Sequence, residues 1–225
     1  MREPAIFARH TLVWVRPESR ASVAAQISDD GIRSQVDTWL TADRPLVVAR
    51  RPCGEVFSNT IPVGLALPPA QGKARIALDV AASDIARHAL PLKLSDAIRC
   101  APAEWQSALA ELDDTAKDIG IGLRVFGSLA WQALSGLPYL TLRSDIDLLW
   151  QPQSRAQLQQ GLALLARWER SSGIRADGEV LFGGGSAVSW REWLVSQTGE
   201  ETRVLVKRAS SAELVETREL LEMLA

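Results

Sequence analysis

The chain has 225 residues, 47% of them hydrophobic and 23% charged, the balance of a soluble globular protein with room for one large domain or two small ones. A formal net charge of −2 excludes general nucleic-acid binding by phosphate neutralisation, so any anion site must come from local basic clusters. Cys53 and Cys100 form no CxxC pair, and His10 and His88 are far apart. That pattern excludes a disulfide framework and a zinc site and reads as two reduced thiols.

Taken in chain order, no apolar stretch after Met1 suits a signal peptide, and no run of about 18 apolar residues follows anywhere. The expectation is a cytoplasmic protein without a membrane span. Thr11 to Val15 is β-prone. Ile32, Val36, Trp39 and Leu40 have helical spacing and predict a helix over 31–40. Residues 46–50 and 61–67 read as strands, and Pro68, Pro69 and Gly72 break the chain. From Lys73 to Val80 the pattern alternates, placing Lys73, Arg75, Ala77 and Asp79 on one face.

Near Pro91 the patterning weakens, which places a boundary there: an N-terminal unit over 1–92 and a second over 93–225. Pro102 suits the first turn of a helix striped by Trp105, Ala108, Leu109 and Leu112, ending near Gly120 and Gly122. A strand over 123–126, a helix over 129–134 closed by Gly136 and Pro138, and a strand over 146–150 follow. Ser154 and Gln157 form a capping box for a helix to Arg170. Strands are expected over 179–182, 187–190 and 203–207, with a turn at Gly183-Gly184-Gly185. A last helix is expected from Ser210, with Glu213 completing a second capping box. The fold class is α/β (α+β): a small mixed N-terminal domain, then a domain with a mixed sheet flanked by helices.

One stretch carries chemistry. Gly127 and Ser128 stand where a strand becomes a helix, and Asp145 and Asp147 follow at the start of the next strand. Glycine allows a tight turn and a close ligand, and the free N–H groups of a helix start attract phosphate. Two carboxylates two residues apart on a strand share a face, with Cα atoms roughly 6.5–7 Å apart. Without a cation they repel, and magnesium suits hard oxygens while leaving room for phosphate. A lone Gly-Ser is more often a plain turn, and a lone Asp-x-Asp a solvated edge. Here both precede the apolar run Leu148-Leu149-Trp150, which favours a metal site.

The segment from Arg124 through Phe126-Gly127-Ser128 to Ser144-Asp145-Ile146-Asp147-Leu148-Leu149-Trp150 resembles the nucleotidyltransferase superfamily. With Gly136 to Leu140, Pro62 to Leu65, Gln71 to Arg75, Asp177 to Glu179 and Trp190 to Glu192, it resembles more closely one family within it, the phosphoribosyl-dephospho-CoA transferases. These are the holo-acyl-carrier-protein synthases of malonate decarboxylase. The resemblance implies a nucleotidyltransferase-like second domain and the substrate 2′-(5″-triphosphoribosyl)-3′-dephospho-CoA. It also implies attachment of the prosthetic group to a serine of the malonate decarboxylase acyl carrier protein, with loss of pyrophosphate. It further implies magnesium held by Asp145 and Asp147, phosphates gripped by Gly127 and Ser128, and a third acid for which Asp177 and Glu179 both qualify.

Cations must offset the triphosphate charge, and Lys207 is the first candidate, followed by Arg143, Lys73, Arg75 and the pair Arg50-Arg51, each with a solvated surface role as its alternative. The N-terminal unit is expected to help bind the CoA-derived substrate. Two other functions fit the same residues: transfer from ATP to another acceptor, and an inactive carrier-binding module. Most of the eight tryptophans are expected in the core.

Overall fold

Eleven strands and eight α-helices are described in a computed structural model covering residues 7–51, 59–197 and 202–224. Cys53 lies outside the described residues. The chain divides into two compact units, 1–91 with 209–211, and 92–208 with 212–225.

The first unit holds β1 (Leu12–Val15), α1 (Arg20–Ala24), α2 (Asp30–Thr41), β2 (Leu46–Val48), β3 (Thr60–Ala66), β4 (Arg75–Ala81) and β5 (Ile85–Ala89). Its sheet runs in the order β4-β3-β2-β1-β5 and is antiparallel throughout. Helix α2 starts where Asp29 caps the Ile32 N–H, and it buries Val36, Trp39 and Leu40. The alternation in β4 is real: Ile76, Leu78 and Val80 are buried and Arg75, Ala77 and Asp79 exposed. Lys73 does not join that face. It sits before the strand in a left-handed turn (φ 53°) after Gly72 (φ 88°), so alternation does not apply to it. Asp43 ties this unit together by accepting hydrogen bonds from Arg20 at 2.5 Å and Arg87 at 2.7 Å. The Arg87 hydrogen bond is the main reason its carboxyl lies below the ordinary value.

The second unit contains α3 (Leu94–Ala97), α4 (Ala103–Asp118), β6 (Arg124–Phe126), α5 (Gly127–Ser135), β7 (Ile146–Trp150), α6 (Arg155–Ser172) and β8 (Ala176–Leu181). It continues with β9 (Ala187–Ser189), α7 (Trp190–Ser196), β10 (Arg203–Lys207), β11 (Ala212–Glu216) and α8 (Thr217–Leu221). The six strands follow the order β11-β10-β9-β8-β7-β6. Only β7 and β8 are parallel, joined by α6 as the crossover, so the sheet is mixed as expected. Val125, Ile146, Leu148, Trp150, Ala176, Val180, Val188, Val204, Val206 and Val215 form one apolar face. It shares a core with Leu109 and Leu112 of α4, Leu162 and Leu165 of α6, and Trp190 and Trp193 of α7.

Ser154 accepts from the Gln157 N–H as the capping box requires, but the Gln157 side chain returns to the Gln153 N–H rather than to Ser154. The second capping box fails. No helix begins at Ser210; Ala212–Glu216 is instead an edge strand paired along its length with β10, and α8 follows it. Glu213, expected to cap, instead forms an ion pair with Arg208 across the hairpin. Ladder pairing to β10 satisfies more backbone groups than a single turn of capping could.

Gly161, in the middle of α6, is where the indole of Trp150 lies against the helix. A Cβ there would stand 2.5 Å from Trp150 and 2.8 Å from Ile121. Gly161→Ala should therefore destabilise the protein by about 1–3 kcal/mol despite the better helix propensity of alanine, read as a lower urea midpoint.

Candidate functional site at the β6–α5 turn

The site begins with strand register. Phe126 pairs with Asp147 across the antiparallel β6–β7 ladder, and Asp147 pairs with Asp177 across the parallel β7–β8 ladder. Alternation puts these three side chains in one row on the sheet face opposite the apolar core. The next row holds Arg124, Leu149 and Glu179, with Ser189 beyond. Because β6 runs antiparallel to β7, the end of one strand meets the start of the next, and the Gly127-Ser128 turn arrives at the aspartates.

Gly127 has φ 62°, a conformation that favours glycine, and a Cβ built on it would fall 1.9 Å from Oδ2 of Asp147. The carboxylate of Asp147 therefore lies directly against the turn. The first N–H groups of α5 have no partner within the helix, and Ser128 is half-buried beside them. Asp145 lies one residue before β7, half-exposed, with Oδ2 3.5 Å from Nε of Arg175. That pair is open to water and contributes about 0–1 kcal/mol.

Asp177 and Glu179 share a face, as alternation requires, but their surroundings differ. Gly178 is a strand residue, and at φ 131° it lies so close to β7 that a Cβ would meet the Leu148 carbonyl at 1.9 Å. Asp177 is half-buried in the row of Asp147, and its Oδ1 accepts from the Gly178 N–H at 2.8 Å. Glu179 is buried, and Lys207 Nζ lies 3.0 Å from its Oε1. Lys207 is thus on the acid-bearing face, bound to a carboxylate.

Arg143 is exposed on the loop into β7, where Ser144 Oγ accepts from the Thr141 N–H and Thr141 Oγ1 from the Arg143 N–H. Lys73 and Arg75 are exposed in the first unit. Arg124 and Arg175 were not singled out by the sequence. Arg124 had a signal, since alternation back from Phe126 places it on the acid face. Arg175 had none, because its position depends on where α6 ends. The tryptophans behave as expected: Trp150, Trp168, Trp190 and Trp193 are core residues, and Trp131 stacks on Tyr139 at 6.4 Å.

The donor set tests whether a divalent cation fits. Among the described residues, no three His, Cys, Asp or Glu side chains are grouped as a protein-only metal cage. Magnesium does not need one, since it takes one or two carboxylates and completes its shell with water and phosphate oxygens. Asp147, whose carboxylate lies against the Gly127 turn, offers hard oxygens where the α5 N–H groups emerge, and Asp145 precedes it by two residues.

A glycine-serine turn facing carboxylates at one end of a mixed sheet has the layout of a group-transfer enzyme. Comparison with known families gives that class a particular identity. Residues 8–91 match the phosphoribosyl-dephospho-CoA transferase MdcG N-terminal domain, and residues 93–218 match the C-terminal domain of the same family. A phosphoribosyl-dephospho-CoA transferase of Xanthomonas campestris pv. campestris (strain 8004) is 44% identical over 207 residues, 92% of this chain and 93% of the relative. One of Bradyrhizobium diazoefficiens is 37% identical, covering 82% and 80%, and one of Azotobacter vinelandii is 31% identical, covering 92% and 91%. No solved structure matches. The chain belongs to the phosphoribosyl-dephospho-CoA transferase family and is a transferase. No described helix is long and apolar enough to cross a membrane.

Two substitutions check the geometry. Gly127→Ala should drive the Asp147 carboxylate off the turn and lower transfer by about 100-fold, with only a few degrees lost in melting temperature. Lys207→Met should cost about 1–3 kcal/mol by stranding the Glu179 carboxylate, a figure discounted because Lys207 is partly exposed. The double variant Lys207→Met with Glu179→Gln should recover most of that loss in urea unfolding.

Proposed function

We propose that the protein attaches phosphoribosyl-dephospho-CoA to a serine of the malonate decarboxylase acyl carrier protein, using 2′-(5″-triphosphoribosyl)-3′-dephospho-CoA. The observation that best supports this reading is the Asp147 carboxylate lying against Gly127, which joins a phosphate-binding helix start to a cation-binding carboxylate. The Gly127–Ser128 backbone and the Ser128 hydroxyl grip the β- and γ-phosphates, and Asp145 and Asp147 hold magnesium. When bound, the metal offsets charge on the phosphates and lowers the pKa of the attacking hydroxyl. The serine oxygen forms a bond to the α-phosphorus, the bond from that phosphorus to the bridging oxygen breaks, and pyrophosphate departs.

Asp177 is the better third acid. It stands beside Asp147 in the parallel register, whereas Glu179 already holds the Lys207 ammonium. In this reading Asp177 accepts the serine proton. Arg143 offsets phosphate charge from the loop, Lys207 adds positive charge to the acid-bearing face, and Lys73 and Arg75 serve the N-terminal domain in helping to bind the CoA-derived substrate. The setting for such chemistry is the cytoplasm.

Mass spectrometry of the carrier after incubation with enzyme, magnesium and the triphosphate donor is the direct test, and the expected result is a mass gain equal to the prosthetic group. ATP in place of the donor should give no adduct; an adenylylated product would replace this reading. Asp145→Asn and Asp147→Asn should each lower turnover by at least about 100-fold without unfolding the protein. Asp177→Asn should lower kcat by at least about tenfold, while Glu179→Gln should change it by less than about threefold.

A further inference from the structure

Beside Asp145, between the start of α4 and the segments that lead into β7 and β8, lies a cleft of about 450 Å³. Its walls come from three places: Glu104, Trp105 and Ala108 at the start of α4; the 142–145 segment before β7; and the 172–175 turn between α6 and β8. Asp145 is on its rim, so the cleft opens beside the reacting centre proposed above. Its size falls within the range of small-molecule sites.

The lining has a particular chemistry. Arg143 and Arg175 bring two guanidinium groups to the rim, both exposed and therefore able to turn toward a ligand. Among the described residues, the Arg175 side chain is paired with Asp145 at 3.5 Å, a solvent-exposed contact and a weak competitor for a phosphate. Glu104 and Asp145 carry the opposite sign, and the C-terminal end of α6 at Ser172–Gly173 adds carbonyl dipoles. A simple polyanion would be opposed by these groups. A nucleoside diphosphate would not, because its phosphates accept from arginine while a free ribose hydroxyl and the exocyclic amine donate to carboxylates and carbonyls. Trp105, Ala108, Leu142 and Ile174 give the apolar surface that a base requires.

We infer that this cleft is the subsite for the adenosine diphosphate end of the CoA-derived donor, with Arg175 as a diphosphate-binding residue and Glu104 as an acceptor for the nucleoside. This rests on the donor proposed above, and it leaves the pantetheine arm outside the cleft. The triphosphate arm occupies the Gly127–Ser128 turn, and the nucleoside end occupies the cleft on the other side of Asp145.

Two probes separate the two subsites: dephospho-CoA, which lacks the triphosphate arm, and inorganic triphosphate, which lacks everything else. Calorimetric titration of the full-length protein should show dephospho-CoA binding weakened about tenfold by Arg175→Ala and a few-fold by Glu104→Gln. Inorganic triphosphate binding should stay within about twofold in both variants. Glu104 is exposed, so its variant reads the cleft even if Arg175→Ala folds poorly. Unchanged dephospho-CoA binding in both variants overturns the inference, as does equal weakening of both probes, which would place Arg175 at the phosphate turn. A rise in KM for the carrier alone also overturns it, by giving the cleft to the acceptor. If the wild type binds dephospho-CoA in an Arg175-dependent way but modifies no carrier, the transfer reading falls and the cleft assignment stands.

Discussion

The absence of one side chain sets the geometry of the catalytic unit. Gly127 turns with a positive φ, and the space its Cβ would fill is held by the carboxylate of Asp147. Any other residue at 127 would require the carboxylate, the turn or the strand to move. The antiparallel register of β6 and β7 makes this meeting possible, since it sets Phe126 opposite Asp147 and delivers the turn to the start of the acid-bearing strand. A parallel pairing would have put the turn at the far end of β7, about five residues from the aspartates by strand rise. The site therefore depends on a hairpin-like topology with a helix and a loop, α5 and 136–145, inserted between its strands.

The apolar core secures that register. A one-residue slip of β7 would exchange the Ile146, Leu148 and Trp150 face with the Asp147 and Leu149 face, burying a carboxylate among the helices. The Trp150 indole packed on Gly161 then fixes the far end of the strand against α6. Gly178 plays the matching part on β8, where its missing Cβ lets the chain lie tight against the Leu148 backbone and holds Asp177 level with Asp147. Gly127, Gly161 and Gly178 thus each permit a close approach that keeps an acid in its row.

Much of this was legible in the sequence, for identifiable reasons. The Gly-Ser turn, the Asp145-x-Asp147 pair and the strands carrying them are local features, readable from alternation and from residues with one strong conformational preference. The Ser154 cap and the Gly136 helix end are local in the same sense. What failed was non-local. Ser210 and Glu213 have the spacing of a cap, yet the partner strand β10 determines what residues 212–216 become. Strand β5 was missed because only Ile85 is buried along it, leaving no alternation to read. Lys73 was assigned to a strand face because a turn with a positive φ at a lysine leaves no compositional trace.

The two candidate third acids show the limit of such reading most clearly. In sequence, Asp177 and Glu179 are equivalent: both acidic, both on one face, separated by a glycine. Their difference comes from β10, whose Lys207, 28 residues after Glu179, brings its ammonium to that carboxylate. A buried carboxylate with a bonded ammonium has its charge already offset, and breaking that pair to accept a proton or a metal would strand the ammonium. Asp177, whose Oδ1 accepts from the adjacent Gly178 backbone N–H, keeps lone pairs available beside Asp147. The difference between the two acids therefore follows from what Glu179 is already bound to, a fact that exists only once the sheet has assembled.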